Sequence, residues 1–218
     1  MAAFGRFCPR EIFLLRIEQV VEQASRRVLN QQKVSAAEKI VSIFEVHTDI
    51  ISRGKPNLDV EFGRKVWLDE VDGGIVSNYR VLTGNPHDTQ QLVSCLAQHI
   101  ENFGYPPNLV SSDRGVYSQS NENYAQTLGI KEVILPKGGY RSKQRIEHQR
   151  KRKFRKDRHW HNGVEGRISF RKRCFGFQRC LYRGDIGFKR WVGWGIIAHN
   201  LTVISRCLVS QSRTISSH

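Results

Sequence analysis

One charged stretch limits how this chain can fold. Between Lys137 and Arg190 there are 19 Lys and Arg residues against four acidic residues, whereas the remainder of the chain holds 16 basic and 16 acidic side chains. The stretch therefore accounts for the whole formal charge of +15. Charged side chains are rarely buried unless they are paired, so this part of the chain must lie on the outside of a core that other segments build. A surface with such an excess of one sign is typical of polyanion binding, and nucleic acid is the expected partner.

Length and cysteine usage narrow the class of protein. A chain of 218 residues is long enough for one domain with a hydrophobic core. Its five cysteines are odd in number and form no C-x-x-C pair, which predicts free thiols in a reducing cytoplasm rather than a disulfide framework or a zinc site. The apolar run Ile12 to Leu15 is too short for a signal peptide, and Lys189, Arg190 and His199 interrupt the apolar segment Ile186 to Arg206. We expect a soluble protein of the cytoplasm that does not enter a membrane.

The periodicity of apolar residues predicts an α/β fold with a mixed sheet flanked by helices. Two strand candidates surround the hairpin turn Asp72-Gly73-Gly74, and helices then alternate with short strands. The predicted helices cover 11–30, 89–103 with Asp88 as its cap, 118–128 and 186–206. The predicted strands cover 39–45, 60–71, 75–82, 108–112 and 131–136. A turn is predicted over 52–57 and a frayed tail from Ser210.

Two carboxylates occupy positions that suit metal-assisted chemistry. Asp113 follows a predicted strand and lies in a tight turn with Arg114 and Gly115, where α/β sheets present ligand-binding residues. Glu165 is the lone acid of the predicted helix 160–173, and Lys172 lies seven residues later on the same face. Carboxylates from separate elements can together hold two divalent ions that act on a phosphate. The alternative is a turn aspartate and a surface glutamate that balances local charge.

The segment 137–160 forms a basic arm that leads into the Glu165 helix. We expect its cations, with two more at the end of that helix, to contact DNA phosphates. Trp160 or Phe154 is available to stack on a displaced base. The alternative to DNA binding is that the basic arm is only a charged face in contact with solvent. His159 and His161 are expected to lie at the surface rather than to bind metal. The predicted DNA-binding residues are Arg150, Lys151, Arg152, Lys153, Arg155, Lys156, Arg158, Lys172 and Arg173.

Several sequence blocks in a fixed order resemble one family. The blocks are VEFGRKV, YRVLTGNPHD, SSDRGVYSQSNE, GIKEVILPKGG, GVEGRISFRKRCFGFQRCLYRG and WVGWGIIAHNL. Together they resemble the DDE transposases of IS4/IS5-type insertion elements, near the IS1182-like and unclassified groups, over about Phe13 to Arg206. The resemblance implies a ribonuclease H-like fold. It also implies DNA cleavage and strand transfer at insertion-element ends, with Mg²⁺ or Mn²⁺ in a two-metal site.

The same resemblance implies roles for individual residues. Asp113 corresponds to the second catalytic aspartate and Glu165 to the catalytic glutamate, so both are expected to be catalytic metal ligands. Lys172 corresponds to a basic residue that contacts DNA phosphate. His161 stands where the family has arginine, and Arg158 stands where it has an aromatic residue. Asn85 and Asp88 match a turn-and-cap block of the family.

The family's first catalytic aspartate lies on a strand before the segment that corresponds to Phe13. We therefore expect this chain to be a C-terminal, truncated transposase fragment whose sheet lacks its first strand. From that expectation follow marginal stability or aggregation, weak metal binding at an incomplete two-metal site, and severely impaired hydrolysis. Other acids, namely Glu45, Asp49, Glu61 and Asp69, do not match the missing residue and are expected to be ordinary surface or turn residues.

The expected organisation is an N-terminal helical segment over 1–35, a partial catalytic core over 36–206 and a tail over 207–218. We expect a homo-oligomer that acts on double-stranded DNA and associates with a bacterial nucleoid in the cytoplasm. Two other functions stay open at this point. One is a non-enzymatic DNA-binding remnant with largely sequence-independent affinity. The other is an RNA-binding basic protein, although the chain has neither an RNP-like aromatic strand nor a G-x-x-G clamp.

Overall fold

The structure is a computed structural model that describes residues 9–55 and 58–215. These residues divide into two compact units. The first unit holds the described residues up to Val66 with Val81–Asn85 and Arg183–Ile186. The second unit holds Trp67–Arg80, Pro86–Tyr182 and the described residues from Gly187 onward.

Helices and short strands together make this an α/β chain, as predicted. The helices are α1 (Pro9–Val28), α2 (Leu92–Phe103), α3 (Gln119–Thr127), α4 (Lys143–Arg150), α5 (Arg152–Cys174) and α6 (Gly184–Ile215). The strands are β1 (Asp49–Lys55), β2 (Leu58–Gly63), β3 (Val66–Glu70), β4 (Val76–Val81), β5 (Leu109–Ser111) and β6 (Glu132–Ile134). Within the described ranges these strands form three two-stranded sheets, the antiparallel pair β1–β2, the hairpin β3–β4 and the parallel pair β5–β6, rather than one continuous mixed sheet.

The first unit differs from its predicted elements. The segment 39–45 is irregular rather than a strand, because the Gln23 side chain of α1 donates to the Ile40 carbonyl at 2.8 Å and accepts from the Ile40 N–H at 3.0 Å. These bonds satisfy the backbone groups that a sheet partner would otherwise satisfy. The predicted turn over 52–57 is also wrong in its first part, where β1 continues to Lys55, and residues 56 and 57 lie outside the described ranges.

The break between β2 and β3 corrects the single strand predicted over 60–71. Arg64 lies at the break, and its side chain is only 5% exposed. Its guanidinium lies 3.5 Å from Asp49 and 3.2 Å from Asp185, and it also donates to the carbonyls of His47 and Leu82. An arginine with so many buried acceptors must leave the regular strand path, so the run divides into two strands.

The second unit is built around a core where α2, α3 and β6 meet. Apolar residues of these elements and their connections are almost fully buried there, as are parts of the turn after β5. The cluster consists of Leu92, Leu96, Val116, Ala125, Ile130 and Leu135. The positions of β5, α3 and β6 agree with the predictions to within two residues. Helix α3 begins as predicted at Ser118, whose hydroxyl accepts from the Asn121 N–H at 3.0 Å, and it is followed by Gly129 at φ 77°.

The predicted capping role of Asp88 is wrong. Helix α2 begins at Leu92, and Asp88 instead begins the short 3₁₀ turn Asp88–Gln90. The residue before this turn, His87, accepts the Thr89 N–H through its ring nitrogen at 3.3 Å. A 3₁₀ turn before the α-helix uses backbone groups that the predicted helix over 89–103 would have used.

The basic arm predicted over 137–160 is largely helical. Helix α4 is joined to the core by Arg145, whose guanidinium lies 2.5 Å from Glu122 Oε1 and donates to the Leu135 carbonyl at 2.6 Å. Only Lys151 separates α4 from α5, so the helix that carries Glu165 begins at Arg152, eight residues before its predicted start at Trp160. Most cations of the arm therefore lie on helices α4 and α5.

Helix α6 continues to Ile215, whereas the sequence predicted fraying from Ser210. It packs against the β3–β4 hairpin, since the His199 ring lies 2.9 Å from the Gly74 carbonyl oxygen and the Asn200 amide bonds the N–H and C=O of Val76 at 3.0 and 2.9 Å. Gly195 permits close packing, because a Cβ at this position would overlap the Phe177 ring.

The cysteines that the structure describes, Cys95, Cys174, Cys180 and Cys207, are free, as predicted.

By length and composition alone, α6 is able to cross a membrane between Gly184 and Ser212, although the sequence predicted that its charged residues prevent this. His199 and Asn200 of this helix also make polar contacts with the β3–β4 hairpin.

The Asn121 side chain provides a test of the second unit. Its amide donates at 2.8 Å to both the Thr89 and the Val116 carbonyl oxygens, and the residue is 4% exposed. Replacement by alanine leaves two carbonyl groups unsatisfied, so Asn121→Ala is expected to lower the free energy of unfolding by about 2 kcal/mol in chemical denaturation. Asn123→Ala, at an exposed site on the same helix, controls for helix propensity and is expected to change it by less than about 0.5 kcal/mol. Equal effects of the two changes would contradict the role of Asn121.

Candidate functional site

Asp113 lies where the sequence places it, at the C-terminal end of a strand that belongs to a parallel pair. It follows β5 and precedes the 3₁₀ turn Arg114–Val116. Its Oδ1 atom accepts the Gly115 N–H at 3.0 Å, and the side chain is exposed. The turn therefore fixes one carboxylate oxygen and leaves the group accessible from solvent.

A second carboxylate, Asp88, lies beside Asp113. A Cβ built at Gly115 would lie 3.0 Å from Asp88 Oδ2 and 3.3 Å from Asp113 Oδ1, so both groups approach the same backbone position. Asn121 holds the two turns together through its bonds to Thr89 and Val116. The sequence did not indicate this approach, because 25 residues separate the two aspartates and neither helical nor strand periodicity relates them. The only signal was local, since Asp88 was predicted to cap a helix and Asp113 to lie in a tight turn.

Glu165 lies on α5, but its side chain is outside the part of the structure that is described, and so is its predicted alignment with Lys172. The helix itself is fixed near both ends. Phe154 is buried at 3% exposure, and Arg167 lies 2.5 Å from Glu70, whose side chain is 4% exposed. Helix α5 also contacts β5 and β6. The helix that bears Glu165 thus packs against the strand whose end bears Asp113.

The acids that do not match the family's first aspartate have structural contacts. Asp69 accepts from the Trp67 ring at 2.6 Å and from the Asn78 amide at 2.9 Å, and the Cys95 thiol donates to it at 3.0 Å. Burial, followed by the negative charge of Asp69, raises the pKa of the Cys95 thiol well above its usual value. Asp69 is therefore part of a packed polar cluster.

Three further acids belong to the first unit. Glu45 accepts the Gly184 N–H at 2.9 Å, and Asp49 lies beside Arg64. Glu61 is half-buried in β2. Glu45 and Asp49 thus each have a neighbouring group that accounts for an acidic side chain at that position.

Basic residues at the end of α4 and the start of α5 form an open, cationic surface. A cavity of about 620 Å³ lies among side chains from the end of α4 and the first two turns of α5. Its lining residues are Arg150, Arg152, Arg155, Lys156, Arg158 and His159. We call this surface the basic cavity. Like charges repel at such a density, and a polyanion relieves this repulsion.

The remaining predicted DNA-binding residues lie elsewhere. Lys151 and Lys153 line a different cavity of about 290 Å³, and the Lys153 ammonium contacts Glu132, which raises the pKa of Lys153. Lys172 and Arg173 are exposed near the other end of α5. The prediction that Phe154 stacks on a displaced base is wrong, because this ring is buried. Trp160, the other residue predicted for this contact, is 39% exposed.

The carboxylates in this region have the donor chemistry that a divalent ion requires. Asp88 and Asp113 offer hard oxygen ligands of the kind that Mg²⁺ and Mn²⁺ prefer. Among the described side chains no group of three or more His, Cys, Asp or Glu residues is arranged to hold a metal ion. The two aspartates therefore fit such an ion only together with a further ligand, and the carboxylates of α5 are Asp157 and Glu165.

Comparisons with known proteins point to one family. A family described as transposase DDE domain matches residues 70–201, more than half of the chain. The match includes Asp113, the basic cavity and the whole of α5. No curated protein and no solved structure matched the chain. The chain belongs to the family of transposases with a DDE domain.

Proposed function

We propose that the chain binds double-stranded DNA through the basic cavity and carries out metal-dependent cleavage and strand transfer at the ends of an insertion element. The observation that carries this proposal is the composition of α5. One helix holds most of the cations of the basic cavity in its first turns and, farther along, Glu165, which by resemblance corresponds to the family's catalytic glutamate. DNA that neutralises these cations lies along the helix that bears the carboxylate.

The residues have separable roles in this proposal. Asp113 and Glu165 would hold Mg²⁺ or Mn²⁺, which supplies stabilisation of charge at the reacting phosphate when it is bound. The Gly115 N–H orients the Asp113 carboxylate, and the Arg167–Glu70 ion pair orients α5. Lys172 and Arg173, exposed beyond Glu165, extend the phosphate contacts along the helix. A ribonuclease H-like arrangement of the core belongs to the same proposal, as does action in the cytoplasm on nucleoid DNA.

We further propose that cleavage by this chain is weak. Of the acids considered as the first catalytic aspartate, Glu45, Asp49 and Asp69 are engaged by neighbouring donors. This observation favours a second candidate function, that of a non-enzymatic DNA-binding remnant. The two functions differ in whether DNA is cleaved, and both require the basic cavity.

DNA affinity tests the basic cavity. When the logarithm of the DNA-binding constant is plotted against the logarithm of the salt concentration, each lost phosphate contact reduces the steepness of the slope by about 0.9. We expect Arg155→Gln combined with Lys156→Gln to reduce this slope by about 2 for duplex DNA in fluorescence anisotropy. The matched control is Arg10→Gln combined with Arg27→Gln, two exposed cations of α1, which are expected to leave the slope unchanged. A double-stranded RNA competitor is expected to bind more weakly than DNA of the same length. Equal slopes for the two double variants would rule out the basic cavity as the DNA surface.

Cleavage tests the proposed chemistry. Purified protein is incubated with DNA that carries the element ends and with Mg²⁺ or Mn²⁺. We expect slow cleavage that Asp113→Asn and Glu165→Gln each reduce by about 100-fold or more, since even the partners of metal ligands are worth 10–100-fold. Asp72→Asn, at an exposed turn, is expected to retain the rate. Binding of DNA without cleavage by the unsubstituted chain would instead support the remnant.

A further inference from the structure

The loop after β6 places a lysine at the sheet edge that carries Asp113. Strands β5 and β6 are parallel with Ser111 opposite Ile134, and the Ser112 N–H donates to the Ile134 carbonyl at 3.2 Å. Asp113 is the second residue after this pair along one strand, and Lys137 is the third along the other. Neighbouring strands lie about 4.8 Å apart, so both residues leave the pair at the same end, where α/β sheets bind their ligands.

The ring of Tyr117 supports the Lys137 side chain. The Lys137 ammonium lies over this ring, 5.8 Å from its centroid. Tyr117 ends the 3₁₀ turn that follows Asp113, and its N–H donates to the Arg114 carbonyl at 3.4 Å. A cation is attracted to the face of an aromatic ring. The turn that orients the Asp113 carboxylate therefore also holds the Lys137 ammonium.

A second cation, Arg145, contacts the same ring, but its charge is already engaged. Its guanidinium lies 4.9 Å from the Tyr117 centroid and 2.5 Å from Glu122 Oε1, and it donates to the Leu135 carbonyl at 2.6 Å. Only 14% of the Arg145 side chain is exposed. Among the described side chains no carboxylate forms an ion pair with Lys137, which is half-buried. The charge of Lys137 therefore remains available to a ligand.

The Arg114 side chain and two glycines shape the surroundings of Lys137. A Cβ built at Gly138 would lie 3.9 Å from Arg114 Cδ, so this exposed arginine passes beside the residue that follows Lys137. Gly139 has φ 61°, a left-handed conformation that glycine adopts readily, and the chain bends there. Two cations, Arg114 and Lys137, thereby flank the turn that presents the Asp113 carboxylate.

We propose that Lys137 is a catalytic residue that contacts the reacting phosphate beside Asp113. The inference rests on the proposed function and adds a residue to its site, because Lys137 lies outside the basic cavity and is not among the predicted DNA-binding residues. Phosphoryl transfer spreads negative charge over the oxygens of the transferred group. An ammonium that is held in place before the reaction stabilises this charge. Lysine binds phosphate as a point charge, so its ammonium need not match the phosphate oxygens in one fixed geometry.

The test is a thermodynamic cycle between Lys137 and one phosphate of duplex DNA. The probe carries the element end, and a second probe has an uncharged methylphosphonate at the junction of the element with flanking DNA. Affinity of the full chain is measured by fluorescence anisotropy with Mg²⁺. The methylphosphonate is expected to weaken binding of the unsubstituted chain about tenfold more than binding of Lys137→Gln, because this variant has already lost the contact. Lys137→Arg, which keeps the charge, is expected to behave as the unsubstituted chain does.

Two controls separate this contact from a structural role of Lys137 in holding the loop to Tyr117. A methylphosphonate one helical turn inside the element is expected to weaken binding of the unsubstituted chain and of Lys137→Gln equally. Lys131→Gln, at an exposed lysine just before β6, is expected to give additive effects at the junction. Additive effects for Lys137→Gln at the junction, with DNA binding intact, would overturn this inference alone. Absence of DNA binding by the unsubstituted chain would overturn the proposed function as well.

The cleavage rate is a second readout. With saturating DNA, Lys137→Gln is expected to lower the rate by about 100-fold, as the loss of one preorganised donor does, and Lys137→Arg is expected to restore most of it. An unchanged rate in Lys137→Gln would contradict the catalytic role. If the unsubstituted chain binds DNA without cleaving it, the cleavage part of the proposed function fails, and the cycle still decides whether Lys137 contacts the phosphate.

Discussion

The attachment of α5 to the rest of the second unit is the interaction on which the proposed site depends. A helix with this many cations has little apolar surface of its own to hold it in place. Its attachments include the buried ring of Phe154 near its start and the ion pair between Arg167 and the buried Glu70 farther along. Removing one member of such a pair would leave a buried charge without its partner, which is strongly destabilising. The helix is thereby held against the core while its basic residues remain exposed.

This arrangement physically links the proposed DNA-binding surface to the proposed site of metal-dependent cleavage. The first turns of α5 concentrate positive charge around the basic cavity, and Glu165 lies three turns farther along the same helix. Asp113 belongs to another element, the turn after β5, and Asn121 fixes that turn against the one that holds Asp88. The proposed site thus depends on packing between α5 and the β5–β6 pair, rather than on any local motif alone.

The sequence was most informative where local chemistry decides the structure. The Asp72–Gly74 turn and the serine start of α3 follow from turn and cap residues, and the structure confirms both. It was least informative where distant groups compete for the backbone. Gln23 satisfies Ile40 and removes a predicted strand, and Arg64 interrupts another. These interactions join residues 15 or more positions apart, which periodicity cannot reveal.

The candidate site shows the same limit. Asp113 at a strand end and Glu165 on a helix could be chosen from the sequence, and the family match covers both. The proximity of Asp88 to Asp113 could not be predicted, because it depends on how two turns pack against Asn121. The burial of Phe154 and the pairing of Lys153 with Glu132 were missed for a similar reason, since a run of cations gives no sign of which residues face the core.

The central claim is that α5 joins DNA binding and metal binding on one helix. Hydrogen exchange, followed by mass spectrometry, tests it most directly. Duplex DNA alone is predicted to slow exchange of the amides in 150–160, and addition of Mn²⁺ is predicted to slow exchange further in 111–117 and 161–169. Asp113→Asn is predicted to abolish the second effect and to leave the first unchanged. Protection by DNA that leaves α5 unaffected, or a Mn²⁺ effect that persists in Asp113→Asn, would contradict the account.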